Sequence, residues 1–216
     1  MYRIHGSTGS PFVRKVCAAF AEKGVAFELV AIDVFNPPAD FQTMSPLRRI
    51  PVLEFADGSG RGPLADSSAI VAYLEAAHPA PALFPADPYQ RGRAVWIEEY
   101  ADTVLAYQLG MGVMRPLLSA RSGAPVDQAK LDEALGKRLP PLFVYLDGAL
   151  GEAHWYAGPD YSIADLAVAA QLSGLVLIDR LDILDPYKNL ARLLDQARRR
   201  PAFASVVSDA LAALSH

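Results

Sequence analysis

The chain has 216 residues, 52% of them hydrophobic and 20% charged, a composition that suits a globular core and excludes a disordered chain. Twenty basic and 24 acidic side chains leave a formal net charge of −4, which argues against a sequence-independent grip on nucleic acid. One cysteine, Cys17, excludes an internal disulfide framework, a CxxC redox pair and a zinc site built mainly on thiolates; a reducing, cytoplasmic setting is expected. The basic run Arg198-Arg199-Arg200 reads as a solvated helix end. The opening MYRIHGSTGSPF has no apolar signal core, and the longest apolar stretch, Ile163 to Ile178, is interrupted by Asp165, Gln171, Ser173 and Gly174. That stretch reads as a buried helix, and no membrane partner is expected.

In chain order, Tyr2 to His5 and Phe27 to Ala31 alternate like strands. Helical patterns fill Pro11 to Lys23 and Asp66 to His78, with a shorter one at Ala39 to Met44. Val52 to Phe55 is a third strand, and a short fourth follows the turn residues Asp57-Gly58-Ser59-Gly60, near Gly62 to Leu64. The order β-α-β-α-β-β-α makes an α/β unit over residues 1–79. Residues 80–87 lie in a proline-rich linker, PAPALFPADP from Pro79 to Pro88. Residues 88–216 are expected to be all-helical. The helices are Tyr89 to Arg121, bent at Pro116; Asp127 to Gly148, kinked at Pro140-Pro141; Ile163 to Ile178; Tyr187 to Arg200; and Pro201 to Leu214.

Three stretches carry chemistry. In Ser7-Thr8-Gly9-Ser10-Pro11-Phe12, Ser10 is placed to cap a helix that Pro11 opens. The same helix start offers free N–H groups, partial positive charge and a hydroxyl, which together stabilise an anion. In Arg49-Ile50-Pro51-Val52, the proline at the strand start is either an ordinary trans residue or a cis one that turns the Ile50 backbone outward to pair with an extended peptide. In Asp66-Ser67-Ser68-Ala69, Asp66 is either a helix cap or the partner of an α-ammonium, with Ser67 taking the accompanying α-carboxylate. The histidines His5, His78, His154 and His216 are scattered, which supports neither a histidine base nor a metal site.

The SPFVRKV opening, the IPVL strand and the DSSAI helix start, in that order and spacing, resemble the cytosolic glutathione transferase family, and the resemblance covers essentially the whole chain. A fourth match, Tyr161-Ser162-Ile163-Ala164-Asp165-Leu166, resembles the capping box and hydrophobic staple of that family's buried helix. The resemblance implies an α/β thioredoxin-like N-terminal domain plus an all-α C-terminal helical domain. It implies glutathione as co-substrate, no metal, a small hydrophobic electrophile as second substrate, and a homodimer in which Glu98, Glu99 and Asp102 lie near the interface. Carried over by residue, Ser10 bonds the glutathione sulfur, with Ser7 and Thr8 as alternatives on the same loop. The Ile50 backbone, ahead of Pro51, pairs with the cysteinyl part. Asp66 and Ser67 bind the γ-glutamyl end, and Arg49, or else Arg48, meets the glycine carboxylate. Phe12, Tyr107, Met111 and Met114 are expected to wall the second-substrate pocket between the domains. Asp66 departs from the family's usual Glu or Gln by one methylene. No tyrosine or cysteine lies on the loop, which disfavours tyrosine-type and thiol–disulfide chemistry; Cys17 reads as a small buried apolar residue. The rivals to conjugation are a non-catalytic transferase-like binding module and a glutathione-dependent isomerase, whose Ser-Ser-Cys run this loop lacks.

Overall fold

The alternation at the start of the chain becomes β1 (Tyr2–Gly6), an inner strand of a four-stranded sheet ordered β2-β1-β3-β4. The computed structural model describes residues 1–33, 36–121 and 123–214. β2 (Phe27–Ala31) runs parallel to β1, as a helical crossover requires. β3 (Val52–Phe55) is antiparallel to β1, and β4 (Leu64–Ala65) is antiparallel to β3. The period of two separates the faces. Tyr2 meets Phe20 and Tyr73 on the helix-covered face. Arg3 and His5 point the other way, where Arg3 pairs with Glu28 at 3.0 Å and His5 meets Glu54 at 2.8 Å. That second face is closed in part by Phe41 of the short helix α2 (Phe41–Met44), which packs with Ile32 and Val52.

Helices α1 (Pro11–Glu22) and α3 (Ser67–Ala77) lie against the sheet, with Val13, Val16, Phe20, Ile70 and Leu74 fully buried. Cys17 is buried on α1, and burial pushes its thiol up to about 12. The last helix, α10 (Pro201–Ala213), returns to pack on α1, where Arg200 grips the Glu22 carboxylate through two bonds of 2.7 Å. By contact the molecule divides into Met1–Leu83 with Arg200–His216, and Phe84–Arg199. A buried ion pair fastens the start of the linker to the first unit. The Lys23 ammonium lies 2.7 Å from Glu75 and also donates to the carbonyls of His78 and Pro81, so its charge is fully partnered.

The second unit contains α4 (Pro88–Tyr100), α5 (Arg115–Arg121), α6 (Gln128–Glu133), α7 (Leu139–Leu150), α8 (Ile163–Leu177) and α9 (Lys188–Arg198). Two segments, Ala101–Met114 and Ala134–Arg138, widen to i→i+5 hydrogen bonding, and each runs up to a proline: Pro116, and the pair Pro140-Pro141. A proline ring collides with the carbonyl four residues back in a regular helix. The wider turn displaces that carbonyl, so the sequence accommodates its prolines by a change of pitch. α8 is the buried helix read from the sequence; all but one of its residues, Val176, are buried. Its capping box closes, with the Ser162 N–H and hydroxyl each 2.9 Å from one Asp165 oxygen. The other oxygen takes the Tyr156 N–H at 2.8 Å, and burial still pushes the Asp165 carboxyl up to about 6.

Candidate active site

Strand register brings the three sequence motifs to one end of the sheet. His5 pairs with Val52, and Val52 with Ala65. The segments that leave the strands just beyond these partners are therefore neighbours: Gly6 and the Ser7–Ser10 loop, Ile50-Pro51, and Asp66-Ser67. Gly6 is the point of closest approach. A Cβ there would lie 2.6 Å from Val13 Cγ2 and 3.6 Å from Ile50 Cβ, so only glycine lets α1 and the β3 entrance close on the loop.

The loop consumes most of its own polar groups. The Ser10 N–H donates to Ser7 O at 2.9 Å, and the Gly9 N–H points to Ser7 Oγ at 3.4 Å. Thr8 is buried. The Thr8 and Gly9 carbonyls accept from the Arg14 guanidinium at 2.7 and 2.9 Å. Ser10 stands at the helix start in extended geometry (φ −80°, ψ 129°), yet its side chain makes no cap hydrogen bond. A half-buried hydroxyl is thus held at the positive end of α1 with its donor capacity uncommitted to the helix.

At β3 the Ile50–Pro51 peptide is cis. The Ser45 hydroxyl donates to Arg49 O at 2.8 Å and accepts the Arg49 N–H at 2.9 Å, which fixes the approach to Ile50. The Arg49 side chain is exposed, whereas Arg48 is occupied with Gln42 at 2.8 Å. Asp66 has φ +95°, a left-handed conformation unusual for a non-glycine residue and typical of strained functional positions. Its exposed carboxylate caps α3 through one oxygen, accepting from the Ser68 N–H at 2.9 Å and the Ala69 N–H at 3.3 Å. Ser67, beside it, is buried. Both readings of Asp66 are therefore compatible in one residue: one oxygen caps while the carboxylate still faces solvent.

Sequence reasoning missed Arg14 and Lys15. Both are fully buried, and the Lys15 ammonium donates to Ser68 Oγ at 3.1 Å in the first turn of α3. The available signal was two adjacent cations inside the otherwise apolar run Val13 to Phe20.

The expected pocket residues differ in exposure. Phe12 is half-buried at the start of α1. Tyr107 and Met111 are 62% and 48% exposed on the widened segment. Met114 is 6% exposed, and its sulfur is seated over Gly174 of α8, so it belongs to the core of the helical unit. Glu98, expected near an interface, is likewise buried. A shallow recess of about 260 Å³ lined by Leu139, Phe143, Ile183 and Tyr187 lies within the helical unit and includes none of the residues above. His5, His78 and His154 meet Glu54, Tyr2 and Gln196 respectively, and His216 lies outside the described residues. Among the described residues no group of three or more His, Cys, Asp or Glu could hold a metal, and no helix is long and apolar enough to cross a membrane.

Comparison with known proteins bears on the family and the fold. Residues 4–82 match the family model for the glutathione S-transferase N-terminal domain, and residues 118–208 match that for the C-terminal domain. Glutathione S-transferase GstB of Escherichia coli is 29% identical over 213 residues, 96% of this chain and 98% of that one. A glutathione S-transferase from Methylobacterium radiotolerans, solved in complex with glutathione sulfonate, is 30% identical with a TM-score of 0.78, covering 95% of this chain and 94% of that one. For the fold alone, glutathione transferase F2 of Populus trichocarpa superimposes with a TM-score of 0.84 at 19% identity, covering 98% and 100%. The strand register, the loop ahead of α1 and the matches along both halves lead to one conclusion: the chain belongs to the glutathione S-transferase family.

Proposed function

We propose that this protein binds glutathione, ionises its thiol and transfers it to a small hydrophobic electrophile, a detoxification chemistry in a cytoplasmic setting. The observation that carries the reading is the Ser10 hydroxyl, held at the N-terminus of α1 without a cap bond while the loop around it is tied down. Glutathione sulfur placed there accepts the hydroxyl proton in a hydrogen bond and meets the positive end of the helix. Both favour the thiolate over the thiol, and each unit of pKa depression corresponds to about 1.4 kcal/mol. The thiol proton leaves to water. Ser10 has no adjacent His or Lys as base, so it acts as a donor and not as a nucleophile. In the same reading the Ile50 backbone pairs with the cysteinyl part, Asp66 takes the γ-glutamyl ammonium, Ser67 its carboxylate, and Arg49 the glycine carboxylate. Phe12, half-buried at the start of α1, contacts the electrophile.

Glutathione conjugation to a chromogenic aryl halide tests the reading. The purified protein should turn over, with saturable dependence on glutathione. Calorimetric glutathione binding without conjugation to any of a panel of electrophiles would leave a binding module instead. We further propose a symmetric homodimer, the commonest closed assembly. Light scattering should give twice the 23.3 kDa chain mass at micromolar concentration; the monomer mass contradicts it.

A further inference from the structure

Arg14 and Lys15 are consecutive residues of α1, neither has exposed surface, and they reach in different directions. The Arg14 Nη1 donates to Thr8 O and Gly9 O, the two carbonyls immediately ahead of Ser10. The Lys15 Nζ donates to the hydroxyl of Ser68, whose N–H is held by the Asp66 carboxylate. Burying a cation costs several kcal/mol unless good hydrogen bonds offset it, and an apolar pair would pack in α1 without that cost. With no exposed surface, neither can touch a bound molecule, so each acts through the segment it holds.

The electrostatics at the two ends differ. Carbonyl dipoles aimed at a thiolate would raise the thiol pKa. Here the Thr8 and Gly9 carbonyls are turned inward onto a guanidinium, which leaves the outward side of the loop to the Ser10 hydroxyl and the α1 terminus. Burial pushes the Arg14 guanidinium down to about 9, while its two carbonyl acceptors favour the charged form. At the other end, the Lys15 ammonium lies behind the first turn of α3, where the γ-glutamyl group is proposed to bind.

We infer that Arg14 and Lys15 are positioning residues for separate halves of the glutathione site: Arg14 holds the loop that presents Ser10 to sulfur, and Lys15 holds the α3 start that presents Asp66 and Ser67 to the γ-glutamyl end. The inference rests on the function proposed above and adds a division of labour to it.

The test is a split between kcat and glutathione affinity in the full-length protein. Arg14→Met should lower kcat about 10–100-fold and move the bound-thiol pKa up, with the glutathione Kd within about twofold of wild type. Lys15→Met, by loosening the α3 start, should weaken the glutathione Kd about tenfold, with kcat at saturation within about threefold. Arg14→Lys and Lys15→Arg, which restore cation and donors, should each return most of the lost quantity. Should either methionine variant fail to fold, Arg14→Gln and Lys15→Gln retain a donor and remove the charge, and the same split must show there at reduced size. Folded variants that change kcat and Kd in parallel, or change neither, overturn the inference while the proposed function stands. A wild-type protein that binds glutathione with an unshifted thiol pKa overturns both.

Discussion

Ser10 and Ser162 stand in the same place, one residue ahead of a helix, and the structure uses them differently. Ser162 is buried and closed: its hydroxyl and N–H both go to Asp165, whose remaining oxygen takes the Tyr156 N–H. Ser10 is half-buried and open: its carbonyl accepts the Arg14 N–H, Pro11 removes one N–H of the first turn, and its hydroxyl caps nothing. The difference is written three residues on. Asp165 can reach back and complete a box, whereas Val13 cannot. Without a carboxylate three residues on, the Ser10 hydroxyl lacks the acceptor that Asp165 gives Ser162. Asp66 of α3 lies between the two cases, since it is followed three residues later by Ala69 and caps through one exposed oxygen.

Substitutions can break or sharpen this contrast. Ser10→Ala should lower turnover about 10²–10³-fold, the loss expected for one oriented donor, with glutathione affinity little changed. Its melting temperature should hardly move, because no cap bond is lost. Asp66→Ala should weaken glutathione binding by roughly 1.5–3 kcal/mol, the range for a charge-assisted hydrogen bond; calorimetry on the folded variant measures it, and undiminished binding would reduce Asp66 to a cap. Ser162→Ala should destabilise the fold by about 1–2 kcal/mol in denaturant melts and leave kcat per folded molecule intact. A large kcat loss there would erase the contrast between the two serines. The smallest effect belongs to Cys17→Ala, which should leave conjugation rates within about twofold, because its buried thiol is held un-ionised.

β1 was legible because Tyr2 to His5 alternate between a helix-covered and a charged face, and the Pro11 and Asp66 helix starts carry local signals that need no tertiary information; the edge strand β2 leaves Glu28, Leu29 and Ala31 exposed, and β4 begins only at Leu64. The segments of the candidate site were legible for the same reason, and register then makes them neighbours. Long-range choices were not. The pattern of α10 says that one face is apolar but not that this face meets α1 near Cys17 and Glu22. Tyr107, Met111 and Met114 are spaced four and three residues apart. Widened turns change which residues share a face, so Met114 goes into the core while its two companions stay out. Arg14 and Lys15 do not read as buried, because a charge on a helix is ordinarily solvated. Their burial depends on acceptors supplied by the loop behind them and by α3.

The ionisation state of bound glutathione addresses the central claim. With wild-type protein at saturating glutathione, thiolate absorbance followed against pH should rise with a midpoint well below the ~8.5 of a free thiol, and Ser10→Ala should move that midpoint back up. If only the second part fails, Ser7 or Thr8 becomes the sulfur partner. A wild-type midpoint at the free-thiol value would contradict the account.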